Sequence, residues 1–307
     1  MDIIILLFGF SIGLVLLVKG ADEMVSSAVQ IALKFKLPSS IVGATFIGFG
    51  TSAPELFAST GAALKGDLDL GIGNIVGSNI ANSLLVVAVL YLALPKDFSK
   101  NINLNQISPI WMAILTTVFV STYVLTDKFP FLLGIVLLVL VVYVIYKMIS
   151  TESVDEDGLI EEEREYIWVR GGLSLIATLY GSQLVVDNAV EIASIFGVSS
   201  LVIGSTIIAI GTSLPEVAGT VSAAKMRKPD IVFGNIFGSN LFNIGLVGGA
   251  AIMISPGEIS SVIDYQLFIM YFVSFVVIFL SRNIIKRNTI LGYVFAASYV
   301  LFLISLF

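Results

Sequence analysis

The sequence predicts an all-α membrane protein: ten transmembrane helices forming two inverted five-helix repeats, with both termini extracellular. Three observations predict it. Of the 307 residues, 57% are hydrophobic and only 12% charged, with a mean hydropathy of +1.01, whereas soluble domains carry about a quarter charged residues. The chain repeats itself at one fixed offset. Its lysines and arginines crowd into alternate loops.

Apolar runs place helices near residues 2–22, 38–65, 70–94, 105–126, 129–148, 167–189, 199–226, 231–254, 262–281 and 288–306. The first has neither a basic segment before it nor a small-residue cleavage site after it, so it reads as a retained helix rather than a signal peptide. It is able to run on through Met24, Val25, Ala28, Ile31 and Phe35, which share one helical face, as far as the break at Pro38. Residues 1–150 form the first repeat, 151–165 an acidic cytoplasmic loop and 166–307 the second repeat. The loop holds eight acidic residues and one arginine. It reads as a solvated linker, with a regulatory cation site as the alternative.

Ten spans put both termini on one side of the membrane. Lys19, Lys34, Lys36, Lys96, Lys100, Lys147, Arg164, Arg170, Lys225, Arg227, Lys228, Arg282, Lys286 and Arg287 fall in one set of loops and helix ends. Only Lys65 and Lys128 fall in the other. By the positive-inside rule the richer set is cytoplasmic.

The repeat carries the chemistry. Shifting the sequence by 161 positions aligns GATFIGFGTSAPE (Gly43 to Glu55) with GSTIIAIGTSLPE (Gly204 to Glu216), and without a gap GNIVGSNIAN (Gly73 to Asn82) with GNIFGSNLFN (Gly234 to Asn243). About 20 of the 44 positions in segment 43–86 match their partners in segment 204–247. Five spans per half is an odd number, so the second half enters the membrane from the opposite side. That is a common plan of secondary transporters, whose site lies at the midplane where the halves meet.

In each GTSxPE stretch a proline interrupts a membrane helix. Pro54 and Pro215 have no N–H, so the carbonyls of Gly50 and Gly211 lose their helical partners. Free carbonyls in hydrocarbon are costly unless something satisfies them, and a hard cation does so. Thr51, Ser52, Thr212 and Ser213 add oxygens beside the break. Glu55 and Glu216 are the acidic residues set deep within spans; Asp187 and Asp264 lie near helix ends. A buried carboxylate in a membrane marks function by default, the alternative being an ion pair. No lysine or arginine falls at comparable depth, and a divalent cation would neutralise both carboxylates. Ca2+ suits such a site because it accepts six to eight oxygens in flexible geometry, whereas Mg2+ resists dehydration. If Na+ used the same oxygens, the two ions would exclude each other, and shared ligands are enough for exchange.

In the second motif, the small-xxx-small spacings Gly73/Gly77 and Gly234/Gly238 predict close approach of the third and eighth helices. Ser78 with Asn82, and Ser239 with Asn243, are four apart and share a face. Asn74, Asn79, Asn235 and Asn240 are open to capping, interhelical bonding or ion contact.

Composition also excludes classes. With no cysteine and no histidine, disulfide, zinc-thiolate and iron–sulfur readings are unavailable, and soft-metal transport is disfavoured. No nucleophile–base constellation points to an enzyme. No cofactor, nucleic-acid partner or obligatory protein partner is indicated; the expected partners are the transported ions and the lipid bilayer.

At these residues the sequence resembles the cation/Ca2+ exchanger superfamily, of the prokaryotic sodium/calcium exchanger type. The twin GTS[AL]PE and GNI[VF]GSN motifs look like its two α-repeats, and the ten-span layout agrees over the whole chain. The resemblance implies a multi-pass cell-membrane antiporter carrying Ca2+ against Na+, with helices two, three, seven and eight lining the pathway. It implies Ca2+ held by Glu55, Glu216 and the carbonyls of Thr51 and Thr212. It implies Na+ sites using Ser52, Ser78, Ser213 and Ser239 and the carbonyls at Gly48 and Ala209. It implies that the first and sixth helices slide across the rest. K+-dependent relatives carry Asp at one of the positions held here by Asn82 and Asn243, so a K+ role is disfavoured. A Ca2+/H+ antiporter of the same fold is the alternative, and a cation channel a more distant one.

Overall fold

The structure, a computed structural model, describes residues 3–101, 107–151, 165–197, 209–281, 284–286 and 288–306. Helix dominates it. α1 (Ile3–Phe35) continues through the amphipathic stretch beyond residue 22. α2 (Ser39–Thr51) and α3 (Ala53–Leu64) are one span bent by 46° at Ser52. α4 (Leu68–Ala93) follows, then α5 (Ile107–Thr126), α6 (Phe131–Thr151) and α7 (Ile167–Ile195). α8 (Ala209–Gly211) and α9 (Leu214–Lys225) flank the second break. α10 (Pro229–Ile254), α11 (Asp264–Ser281) and α12 (Thr289–Ile304) complete the chain. The beginning of the expected seventh helix, 199–208, and nearly all of the acidic loop 151–165 lie outside the described residues.

Six described helices are long and apolar enough to cross a membrane, or seven with the bent pair α2–α3 counted as one span. Large side chains such as Ile4, Phe57, Leu132, Phe279 and Ile290 are exposed, the outward face expected of a protein solvated by lipid. α4 and α10 sit at the centre, with 78% and 83% of their apolar windows buried against 22% for α1 and 33% for α5 and α6.

Helix ends follow local chemistry. α1 stops with the Lys36 N–H on the Leu33 carbonyl (3.2 Å) and the Leu37 N–H on the Ala32 carbonyl (2.8 Å), a Schellman cap that places Lys36 at φ 52°. The same pattern closes α3 at Gly66 (φ 78°) and α9 at Arg227 (φ 57°). Gly66 and Arg227 are partners in the repeat, so the backbone geometry repeats where the residue type does not.

Wide π-helical turns occupy Gly43–Gly48, Asn82–Val86 and Asn243–Gly248. The first lies within a repeated motif and the other two begin at the last residue of one; such turns are rare and frequently mark functional sites. Four short strands, not anticipated from the sequence, tie loops together. β1 (Ser99–Asn101) pairs antiparallel with β4 (Ile284–Lys286), and β2 (Lys128–Phe129) with β3 (Gly257–Glu258).

α1 and α7 pack along their length through small residues. A Cβ on Gly13 would meet the Val185 nitrogen at 2.9 Å and the Gly181 carbonyl at 3.0 Å; one on Gly20 would meet the Thr178 hydroxyl at 2.7 Å. Arg170 Nε, on α7, donates to Glu23 Oε1, on α1, at 2.7 Å.

Candidate cation site

The two proline breaks make the site. Pro54 and Pro215 sit in the first turn of α3 and α9, where a missing N–H costs nothing. Glu55 and Glu216 follow them, also in the first turn, where the positive end of the helix dipole favours a carboxylate. Both are buried, 3% and 2% exposed, and no lysine or arginine is buried among the described residues.

Glu55 Oε1 accepts from Ser78 Oγ at 3.4 Å. Glu216 lies beside the Thr51 hydroxyl and within reach of the Glu55 charge. The Oε2 atom of each glutamate is buried without a hydrogen-bond partner. Buried carboxylate oxygens are normally paired or bound to metal, and these two are open to a ligand. Ser52 Oγ is likewise buried and unpartnered at the first break. The carboxylates are two, and no group of three or more acidic, histidine or cysteine side chains suited to a metal occurs among the described residues.

Ser239 Oγ, fully buried, donates to the Gly48 carbonyl across the two halves at 3.2 Å. A Cβ at Gly48 would meet the Ser239 nitrogen at 2.9 Å, so only glycine allows this approach. Ser213 is 2% exposed beside the second break. Thr212 lines a cavity of about 440 Å3 together with Pro54, Pro215, Gly211 and Ser182. Farther out the cavity is lined by Gln183, Asp187 and Glu191 of α7, so it connects both breaks with the C-terminal end of that helix. Ala209 opens the described part of α8.

Two expectations need correcting. The Gly211 carbonyl is not free: it accepts Ser182 Oγ at 3.1 Å. The second interruption is thus satisfied within the protein, while Ser52 Oγ and the Oε2 atoms of the two carboxylates stay unpartnered beside the breaks. Second, Gly234 and Gly238 seat α10 against α2, not α4: a Cβ on Gly238 would meet the Ala44 Cα at 2.5 Å, and one on Gly234 would strike the Ser40 carbonyl. Gly73 and Gly77 have open space beside them.

The asparagines left open by the sequence separate by role. Asn74 Nδ2 donates to Ser59 Oγ at 2.9 Å. Asn82 Nδ2 donates to Asn240 Oδ1 at 3.1 Å, and Asn243 Nδ2 to Asn79 Oδ1 at 3.2 Å. These bonds are counterparts under the 161-residue repeat. Asn79 and Asn240 are therefore interhelical partners that hold Asn82 and Asn243 between the halves. Ser182 was also missed. A signal for it existed in a serine facing the bundle from a long membrane helix, since such hydroxyls seek carbonyls.

Residues 5–151 and 166–307 match the family model described as "Sodium/calcium exchanger protein". The chain is 31% identical over 348 aligned positions to sodium/calcium exchanger MaX1 of Methanosarcina acetivorans, covering 96% of this chain and 97% of the relative. It is 32% identical over 290 positions to inner membrane protein YrbG of Escherichia coli, covering 89% and 88%. Among solved structures, the sodium-calcium exchanger NCX_Mj soaked with zero Na+ and Ca2+ superposes with a TM-score of 0.86 at 28% identity, covering 100% of both chains.

Proposed function

The chain belongs to the sodium/calcium exchanger family, and from that premise we propose that it exchanges Ca2+ for Na+ by alternating access at a site built on Glu55 and Glu216. The observation that carries this reading is the carboxylate pair: 3% and 2% exposed, each with Oε2 unpartnered, with no buried basic group among the described residues. A divalent cation resolves both the charge and the missing partners. Glu55, Glu216 and the Thr51 and Thr212 carbonyls hold Ca2+ in this proposal. Ser52, Ser78, Ser213 and Ser239 and the carbonyls at Gly48 and Ala209 serve Na+, with Asn82 and Asn243 beside them. Carboxylates shared between the two cargoes make their occupancy mutually exclusive. Membership of the family makes the protein a multi-pass membrane transporter, and the names of MaX1 and NCX_Mj favour Na+ over H+ as the returning ion.

We read the chain as ten spans in two inverted repeats, both ends on the outer side. Loop geometry supports the count. On that layout β1 and β4 lie in loops on the cytoplasmic side, and β2 and β3 in loops on the outer side, so each observed pairing joins loops of one side. The Arg227–Asp97 ion pair at 2.8 Å joins two cytoplasmic loops in the same way. The cavity lined by Asp187 and Glu191 then opens outward, an outward-facing state.

The test is 45Ca2+ uptake into proteoliposomes preloaded with Na+ at clamped pH. Uptake driven by the Na+ gradient is the expected result. Uptake driven only by a pH gradient would turn the reading into Ca2+/H+ exchange, and flux indifferent to any counter-gradient into a channel.

A further inference from the structure

An amide carries a donor on one side and an acceptor on the other, so a site amide serves a cation only when its oxygen faces inward. Asn82 and Asn243 are 2% and 1% exposed and lie one turn beyond Ser78, which touches Glu55, and Ser239, which touches Gly48. Each begins a π-helical turn. Each gives its Nδ2 to an asparagine on the opposite half, Asn240 or Asn79. What orients that second asparagine lies one layer out. Asn79 Nδ2 faces Met270 Sδ at 3.6 Å, and Asn240 Nδ2 faces Met112 Sδ at 3.7 Å and Ser83 Oγ at 3.2 Å. Met112 and Met270 are fully buried, on α5 and α11.

A thioether accepts but never donates. Asn79 must therefore turn its NH2 toward Met270, leaving its oxygen for Asn243. Asn243 must then turn its own NH2 toward Asn79, and its Oδ1 is left buried with no partner. Met112, Asn240 and Asn82 repeat the order of donors in the other half, where Ser83 Oγ accepts from Asn240 as well. Serine at either outer position would not impose a direction, because a hydroxyl does both. We propose that Met270 and Met112 are positioning residues, acceptor-only thioethers that fix the polarity of two amide relays so that Asn243 and Asn82 present oxygen to the cation. The proposal rests on the reading of Glu55 and Glu216 as the cation site.

The test is a double-mutant cycle read by Ca2+ titration of the thermal-unfolding midpoint of the purified full chain, which yields an apparent Kd and a cation-free midpoint together. Met270→Leu keeps the bulk and removes the acceptor, so it should raise the apparent Kd about 3- to 10-fold, the worth of one neutral hydrogen bond. In an Asn243→Asp background, where an oxygen faces the ion whichever way the side chain turns, the same substitution should change the apparent Kd less than about 1.5-fold. An equal factor in both backgrounds, or no factor in the wild-type background, would overturn the proposal and leave Met270 a packing residue. If Met270→Leu does not fold, Met112→Leu with Asn82→Asp makes the same measurement. A wild-type protein whose midpoint ignores Ca2+ would instead defeat the carboxylate site itself, and the relay with it.

Discussion

Replacing Glu216 with glutamine removes one charge while keeping the shape of the side chain, and it should act with opposite signs on the loaded and the empty protein. At 2% exposure the carboxylate has no water to share its charge, so the full cost of breaking a buried charge arrangement applies, about 3–5 kcal/mol. At about 1.4 kcal/mol per factor of ten, that predicts a loss of Ca2+ affinity of roughly two to three and a half orders of magnitude. Glu55 would be left facing a divalent ion alone, with Ser78 its hydrogen-bond donor. In the absence of cation the sign reverses. Glu55 and Glu216 repel each other across the site, and Glu216→Gln relieves this, so the cation-free protein should unfold at a higher temperature than wild type. The assay is Na+-driven 45Ca2+ uptake in proteoliposomes, paired with thermal unfolding in chelator with and without added Ca2+. Near wild-type uptake by Glu216→Gln or Glu55→Gln would refute the carboxylate clamp. So would a lower cation-free midpoint combined with an undiminished Ca2+ response.

Gly181→Val should force α1 and α7 apart, because a Cβ there strikes the Leu17 nitrogen and the Gly13 carbonyl; overpacking of about 1–3 kcal/mol should appear as a lower unfolding midpoint, whereas Gly61→Ala, with nothing within 4 Å of its Cβ, should be neutral or stabilising. Lys36→Gly should stabilise by about 0.5–1 kcal/mol, since glycine takes the left-handed φ of 52° without strain, and an unchanged midpoint in denaturant would count against the Schellman cap. The Arg227 guanidinium, by hydrogen bond and charge, holds the Asp97 carboxyl below the usual value. Its contribution is therefore present above the ordinary carboxylate range and lost as pH falls through the lowered value. Asp97→Asn should flatten the acid limb of the stability profile slightly, and more at low salt than at high.

Much of the site was legible because the chain states it twice. A single Pro-Glu in a membrane helix is ambiguous, but Glu55 and Glu216 share thirteen-residue contexts at one offset, and both prove buried at helix breaks. Thr51 and Ser78 were legible as oxygens near the break, since adjacent positions and one-turn spacing bring them there. The fate of the Gly211 carbonyl was not, because removing a donor says nothing of what replaces it. Ser182, on another helix 29 positions earlier than Gly211, fills that role. The partner of Gly234 and Gly238 was misassigned for a related reason: small-residue spacing marks a close contact without identifying the other surface. The direction of the asparagines was likewise hidden, since it depends on Met112 and Met270, apolar by composition and acceptors only by position. The short strands escaped because two or three residues carry no alternation to read.

The seam between α1 and α7 has a consequence for how the protein is made. α1 leaves the ribosome well before α7, and the surface that receives Gly13 and Gly20 belongs to that later helix, which begins at Ile167. For the whole interval in which the first repeat is synthesised, α1 has lipid where α7 will be, its glycine-lined groove filled by acyl chains rather than by a neighbouring backbone. Assembly thus includes an exchange of lipid for protein along the groove, a step driven by close van der Waals fit and not by escape from water. A nascent chain halted before α7 would carry the first half of the candidate site complete in sequence but with α1 still unmoored.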